Sequence, residues 1–80
     1  RTPAGREAAV ALYRRALVGE PGWVQVLGNL AELLSREPSG CAEAEVLRRR
    51  ILVFEPGNEM AAVLGRLLGE RGAGEHTQKT

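Results

Sequence analysis

The sequence predicts an all-α fold built from antiparallel helix-turn-helix units. Two observations lead to this prediction: apolar residues recur at helical spacing in four stretches, and part of the chain repeats itself at an offset of 35 residues. Composition agrees, because 44% of the 80 residues are hydrophobic and only 4% are aromatic. The core must therefore be built from aliphatic side chains, which suit packed helices.

The repeat is clearest at two Glu-Pro-Gly turns, where seven of nine residues are identical at this offset. The identical pairs are Arg14 and Arg49, Arg15 and Arg50, Leu17 and Leu52, Val18 and Val53, Glu20 and Glu55, Pro21 and Pro56, and Gly22 and Gly57. Further upstream, Ala9 matches Ala44 and Leu12 matches Leu47. A unit this short buries its apolar face only against a neighbour, so the repeat predicts helices stacked in series.

The first predicted helix covers residues 5–19. Its apolar stripe consists of Ala9, Leu12, Tyr13, Ala16 and Leu17, at the spacing i, i+3, i+4, i+7 and i+8. The turn Glu20-Pro21-Gly22 ends this helix, because proline has no backbone N–H and restricts the residue before it. The next helix should therefore begin after Trp23.

The second predicted helix covers residues 24–36, and Glu37-Pro38-Ser39-Gly40 interrupts the pattern after it. Its apolar stripe consists of Leu27, Leu30, Ala31 and Leu34. Ser39 is the predicted N-cap of the third helix, because its hydroxyl can accept an orphan N–H of the first turn.

The third predicted helix covers residues 41–54, with the stripe Ala44, Leu47, Ile51 and Phe54. A fourth helix over residues 59–70 carries Ala61, Leu64, Gly65 and Leu68. Loops of about four residues force successive helices to lie antiparallel. No apolar stripe continues from Arg71, so residues 71–80 are expected to form a disordered tail.

These positions resemble the tetratricopeptide repeat, a helix-turn-helix unit of about 34 residues used in binding arrays. The family's second helix has small, aromatic, small and proline residues at set spacings, and the next first helix has bulky residues around a small one. The matching residues are Ala9, Tyr13, Ala16 and Pro21, followed by Leu27, Leu30, Ala31 and Leu34. The resemblance implies an α-solenoid fragment in which small residues let helices approach closely.

The second copy departs from this pattern at two positions. Ala44 and Pro56 fit, but Arg48 stands where the family has an aromatic residue and Ile51 where it has a small one. This helix pair should therefore pack more widely or slightly rotated. The last helix fits, with Leu64, Gly65 and Leu68 among its repeat positions, if the turn before it is one residue shorter than usual.

The resemblance implies a protein-interaction or adaptor module that binds a partner protein or peptide. Its first helices would line a groove with Gln25, Asn29, Glu32, Arg36, Glu59, Ala62 and Arg66. The alternative is that these are solvated polar positions, and Asn29 has a structural role in many family members. A clamp for a chaperone's terminal carboxylate is not expected, because Gly28 and Glu32 occupy its first two positions. Open helical ends also allow self-association.

An RNA- or anion-binding repeat is the competing interpretation, because Arg48, Arg49 and Arg50 form a basic run that Arg14 and Arg15 echo. Three consecutive helical residues point about 100° apart, so they cannot serve one surface. The net charge is only +1. We therefore expect these arginines to pair mainly with Glu43, Glu45 and Glu55.

Catalytic, metal and cofactor sites are not expected. The one histidine, His76, lies in the predicted tail, and one cysteine, Cys41, cannot complete a zinc site with it. No apolar run is long enough to span a bilayer and no signal peptide is present, so we expect a cytoplasmic protein. Trp23 is expected to cover the end of the first helix pair or to anchor a partner.

Overall fold

The computed structural model describes the backbone of residues 3–77 and the side chains of residues 5–70. Within these residues the chain forms four α-helices and no strand, which confirms the predicted all-α class. The helices are α1 (Pro3–Gly19), α2 (Val24–Leu34), α3 (Cys41–Phe54) and α4 (Glu59–Thr77). A short 3-10 helix at Pro38–Gly40 precedes α3.

Helix α2 lies at the centre of the fold. It packs against α1 and most extensively against α3, and it also contacts α4, which packs mainly on α3. The buried core consists of Leu27, Leu30, Ala31, Leu34, Ala44, Leu47, Ile51, Ala61 and Leu64. Tyr13 and Leu17 of α1 and Leu52 and Leu68 lie against this core and are partly buried. Neighbouring helices therefore share one continuous apolar layer.

The two Glu-Pro-Gly turns have the same length and the same hydrogen bonds. The backbone N–H of Glu20 donates to the carbonyl of Ala16 at 2.9 Å, and that of Glu55 donates to Ile51 at 2.7 Å. Four residues separate the helices in each case, at 20–23 and 55–58. The expectation of a shorter turn before α4 is therefore wrong.

The apparent shift in the pattern of α4 has a packing cause. Helix α2 lies between two neighbours in series and buries residues on both sides, whereas α4 has one such neighbour, α3. At the offset of 35, the buried Ala61 corresponds to Val26, which is also buried. The sequence comparison had instead aligned Ala61 with Leu27, on another face of α2.

Helix α2 ends at Leu34, two residues before the predicted end at Arg36. The residue before Pro38 is extended, with φ −120° and ψ 139° at Glu37, as expected of a residue that precedes proline. Ser35 is buried in the turn, and its hydroxyl donates a 2.8 Å hydrogen bond to the carbonyl of Glu32. The proline therefore acts further upstream than the sequence analysis assumed.

Ser39 is not the N-cap of α3. It lies inside the 3-10 helix, and Gly40 takes the N-cap position without a side-chain hydrogen bond. The N–H of Gly40 donates to the carbonyl of Glu37 at 2.9 Å, so the chain is already turning before α3 begins. A Cβ added to Gly40 would lie 3.0 Å from the carbonyl carbon of Leu34. Glycine thus allows the start of α3 to touch the end of α2.

The backbone of α4 remains helical to Thr77, beyond the predicted end at residue 70 and into the segment predicted to be disordered. No proline interrupts this segment, so its backbone N–H groups can continue the helix, although Gly72 and Gly74 have low helix propensity. The remainder of the predicted tail, residues 78–80, lies outside the described residues. Helix α1 begins at Pro3, where proline suits a first helical turn.

Candidate functional site

A groove of about 370 Å³ opens where the start of α2 faces the turn before α4. It is lined by Val24, Gln25, Gly28, Asn29, Glu55, Asn58 and Met60. The apolar members form a floor, and amide and carboxylate groups stand around it. Such a mixture of apolar surface and a few polar groups is typical of binding sites.

Close approach of α2 and α4 forms the floor. A Cβ added to Gly28 would lie 2.9 Å from Cγ of Met60, so the methionine side chain rests directly on the glycine backbone. Met60 nevertheless keeps 37% of its surface exposed, and Val24 beside it is half-buried. The groove therefore offers a contact for an apolar side chain.

Two polar residues on one side of the groove are already engaged. The Asn58 side-chain oxygen accepts a 2.9 Å hydrogen bond from the N–H of Ala61, which caps α4. The amide nitrogen of Asn58 donates to Oε1 of Glu55 at 2.8 Å. This Glu55 carboxylate was expected to pair with an arginine, and that expectation is wrong because the nearer Asn58 amide takes it.

Gln25 and Asn29 form the other side of the groove and lie one helical turn apart on α2. Gln25 is exposed and Asn29 half-buried. Neither side-chain amide has a hydrogen-bond partner among the described residues. Each amide can therefore donate to and accept from a bound molecule.

The remaining predicted groove residues do not line this groove. Glu32 and Arg36 lie further along α2 and pair with each other, with Nη2 and Oε2 3.0 Å apart. Glu59, Ala62 and Arg66 lie on exposed positions of α4. Sequence reasoning missed the turn residues Glu55 and Asn58 and the apolar floor, although an Asn after a Pro-Gly turn is itself a helix N-cap signal.

The arginine run is divided among different partners. Arg14 forms an ion pair with Glu43 at 2.6 Å, and Glu45 pairs with both Arg48 at 2.6 Å and Arg49 at 2.9 Å. These hydrogen bonds confirm the expected pairing with two of the three glutamates. The Arg14 guanidinium lowers the pKa of Glu43, and the Arg48 guanidinium lowers the pKa of Glu45.

Arg15 and Arg50 are exposed and make no ion pair with any described side chain. They are equivalent residues at the offset of 35. They are the part of the basic run that remains open to an anion.

Arg48 occupies the position where the repeat pattern has an aromatic residue. Its side chain lies against Gly65 of α4, where an added Cβ would be 3.6 Å from Nη1. A long side chain over a glycine fills the space between α3 and α4, and Glu45 satisfies its charge.

Neither aromatic residue at the turns is fully buried. The ring of Phe54 rests on the first Glu-Pro-Gly turn, where a Cβ added to Gly22 would lie 2.9 Å from Cζ. Trp23, which was expected to cover the end of the helix pair, keeps 46% of its surface exposed. Phe54 therefore makes the turn contact that had been predicted for Trp23.

Among the described residues, no group of three or more His, Cys, Asp or Glu side chains could hold a metal ion. Cys41 is a free, half-buried thiol with Sγ 3.5 Å from the carbonyl of Glu37. None of the helices in the described part of the chain combines the length and apolar character needed to cross a membrane. The side chain of His76 lies outside the described residues.

Comparison with known proteins gave no match: no family model, no curated protein and no solved structure matches this chain.

Proposed function

We propose that this chain is a protein-interaction module of tetratricopeptide type whose groove between α2 and the start of α4 binds a peptide segment of a partner protein. The observation that carries the proposal is the groove itself. It combines the exposed apolar surface of Met60 with two side-chain amides, Gln25 and Asn29, that lack partners within the described residues.

Two structural features support the assignment to a helical repeat. The hydrogen bonds of both Glu-Pro-Gly turns recur at the offset of 35, and each turn joins helices that pack on their neighbours in series. Contact between α2 and α4 brings the two first helices of consecutive units side by side. Such a pair is the surface that the resemblance assigns to ligand binding.

The groove chemistry favours an extended segment with one apolar side chain. Peptide backbone groups can donate to and accept from the amides of Gln25 and Asn29, and an apolar residue can contact Met60. Glu55 places a carboxylate at the edge of the groove. A ligand residue at that edge should therefore be neutral or basic rather than acidic.

Selection from a random peptide library tests this proposal. Peptides enriched on the wild-type chain should bind Met60→Glu and Asn29→Ala at least tenfold more weakly, measured by fluorescence anisotropy. Val63→Glu is the matched control, because Val63 also lies on α4, has a similar exposure of 39%, and does not line the groove. Equal loss in the control, or no loss in Met60→Glu, would contradict the assignment.

The anion-binding alternative rests on Arg15 and Arg50, which make no ion pair with a described side chain. A single-stranded RNA oligomer should then bind with an affinity that falls linearly with the logarithm of salt concentration. Arg15→Gln combined with Arg50→Gln should reduce that slope. Groove-bound peptides should show little salt dependence, so the two functions are distinguished by one titration.

A further inference from the structure

Two equivalent leucines of the repeat have opposite environments. Leu12 on α1 and Leu47 on α3 match at the offset of 35, yet Leu12 is 64% exposed and Leu47 is 4% exposed. The neighbouring positions on α3, Ala44 and Ile51, are fully buried. Their counterparts Ala9 and Ala16 are only half-buried. Helix α1 therefore carries an apolar stripe whose counterpart on α3 is covered.

Helix α2 covers the stripe on α3. Their contact is the most extensive in the fold. A Cβ added to Gly28 of α2 would lie 3.9 Å from Cδ1 of Ile51, and Sγ of Cys41 lies 3.7 Å from the carbonyl of Ser35. The residues of α2 on this side include Leu27, Ala31 and Leu34, which are all buried. The chain thus displays the kind of helix that this stripe binds.

The start of α1 retains the feature that admits the end of such a helix. Pro3-Ala4-Gly5 repeats Pro38-Ser39-Gly40 at the same offset of 35. At the start of α3 the glycine is required, because the carbonyl of Leu34 lies against Gly40 where a Cβ would be. A glycine at the equivalent position of α1 leaves the same space for the end of a helix like α2.

We propose that the surface formed by Gly5, Ala9, Leu12 and Ala16, here called the α1 surface, binds an amphipathic helix of a partner protein. The bound helix has the pattern of α2, a leucine, an alanine four residues later and a leucine three residues after that. It runs antiparallel to α1 with its C-terminal end at Gly5. Small residues on the α1 surface allow close packing, and Leu12 supplies the main apolar contact.

A second copy of the chain does not supply this helix. In α2 the required side chains are already buried against α3. At the offset of 35, α4 has Ala62, Arg66 and Gly69 in place of the leucine, alanine and leucine. Neither described first helix can therefore offer the pattern to another copy, and the occupant is a different protein. The α1 surface is separate from the groove, so this inference and the proposed function can fail independently.

A peptide with the sequence of residues 20–40 provides a defined probe. Labelled and titrated with the whole chain, it should bind saturably, and Leu12→Glu should weaken binding at least tenfold. Val18→Glu is the control, because Val18 is 83% exposed on α1 but lies off the stripe. A peptide in which Leu27 and Leu34 are both replaced by Glu should not bind. Equal binding to the Leu12→Glu and Val18→Glu chains would overturn the proposal.

Covalent extension removes the cost of ordering a free peptide. A copy of residues 21–37 placed directly before Pro3, in place of residues 1–2, would put a helix like α2 at the position that precedes α1 in the repeat. Leu12→Glu should then lower the thermal midpoint of the extended chain by several degrees and leave that of the original chain almost unchanged. The same shift in both chains would overturn the proposal, as would self-association of the original chain that Leu12→Glu abolishes in sedimentation equilibrium.

Discussion

The guanidinium of Arg14 on α1 donates two hydrogen bonds to the carboxylate of Glu43 on α3, with Nη1–Oε2 at 2.6 Å and Nη2–Oε1 at 3.0 Å. The pair links two helices that both pack on α2. Two parallel N–H···O bonds fix the orientation of both side chains better than a single contact does. The ion pair therefore connects consecutive repeats on the solvent side of the core.

A double-mutant cycle should detect this link. Because both side chains are more than 40% exposed, we expect a coupling energy of only about 0.5 kcal/mol between Arg14→Gln and Glu43→Gln. Urea unfolding at low salt measures it, and 1 M salt should reduce it. Arg15→Gln, which removes an arginine without an ion pair to a described side chain, should show no coupling to Glu43→Gln. Equal coupling for both arginines would indicate a general charge effect.

Stability should decrease in acid partly through Glu45. Hydrogen bonds from Arg48 and Arg49 lower the pKa of this carboxyl in the folded chain. Its contribution is thus fully present above the unfolded pKa of about 4.3 and is lost as the pH falls through the lower folded value. Urea midpoints between pH 7 and pH 3 should therefore depend less on pH in Glu45→Gln. Arg48→Gln should reduce the dependence too, and an unchanged slope in both variants would contradict this assignment.

Gly40→Ala should strongly destabilise the fold. The new Cβ would meet the backbone of Leu34, which cannot move without separating α2 from α3, so we expect a loss of about 3 kcal/mol. Gly57→Ala is the control, because nothing lies within 4 Å of a Cβ at that turn position. It should change the free energy of unfolding by less than about 0.5 kcal/mol. Similar urea midpoints for the two variants would show that the α2–α3 contact tolerates a side chain.

Leu27→Ala should remove the centre of the core. Leu27 is fully buried on the helix that contacts all three others, so the cavity should cost about 2–5 kcal/mol. A chain of 80 residues has little stability to lose, and this variant should be largely unfolded by circular dichroism. Val53→Ala removes an apolar side chain that is 76% exposed and should unfold at nearly the wild-type urea concentration.

Local patterns predicted the helices well and their ends less well. Spacing of apolar residues located the stripe of α2, and all four of its predicted members are buried. Capping was harder to predict, because Ser39 has the side chain of an N-cap but the backbone is already turning through Pro38. The end of α4 was also missed, since glycines lower helix propensity without blocking backbone hydrogen bonds.

The groove was predicted only in part. Gln25 and Asn29 follow from helical spacing on α2, because residues four apart share a face. Met60, Glu55 and Asn58 come from the next unit, and their proximity depends on how closely α4 approaches Gly28. That distance is set by packing between helices, which no local pattern records.

The order of the chain already specifies an all-helical fold, the position of each turn and the equivalence of residues 35 apart, because periodicity and proline act over a few neighbouring residues. Burial is different, since it depends on which helices lie next to each position. Leu12 and Leu47 are the same residue in the same pattern, and only the packing of α2 on α3 distinguishes the exposed leucine from the buried one.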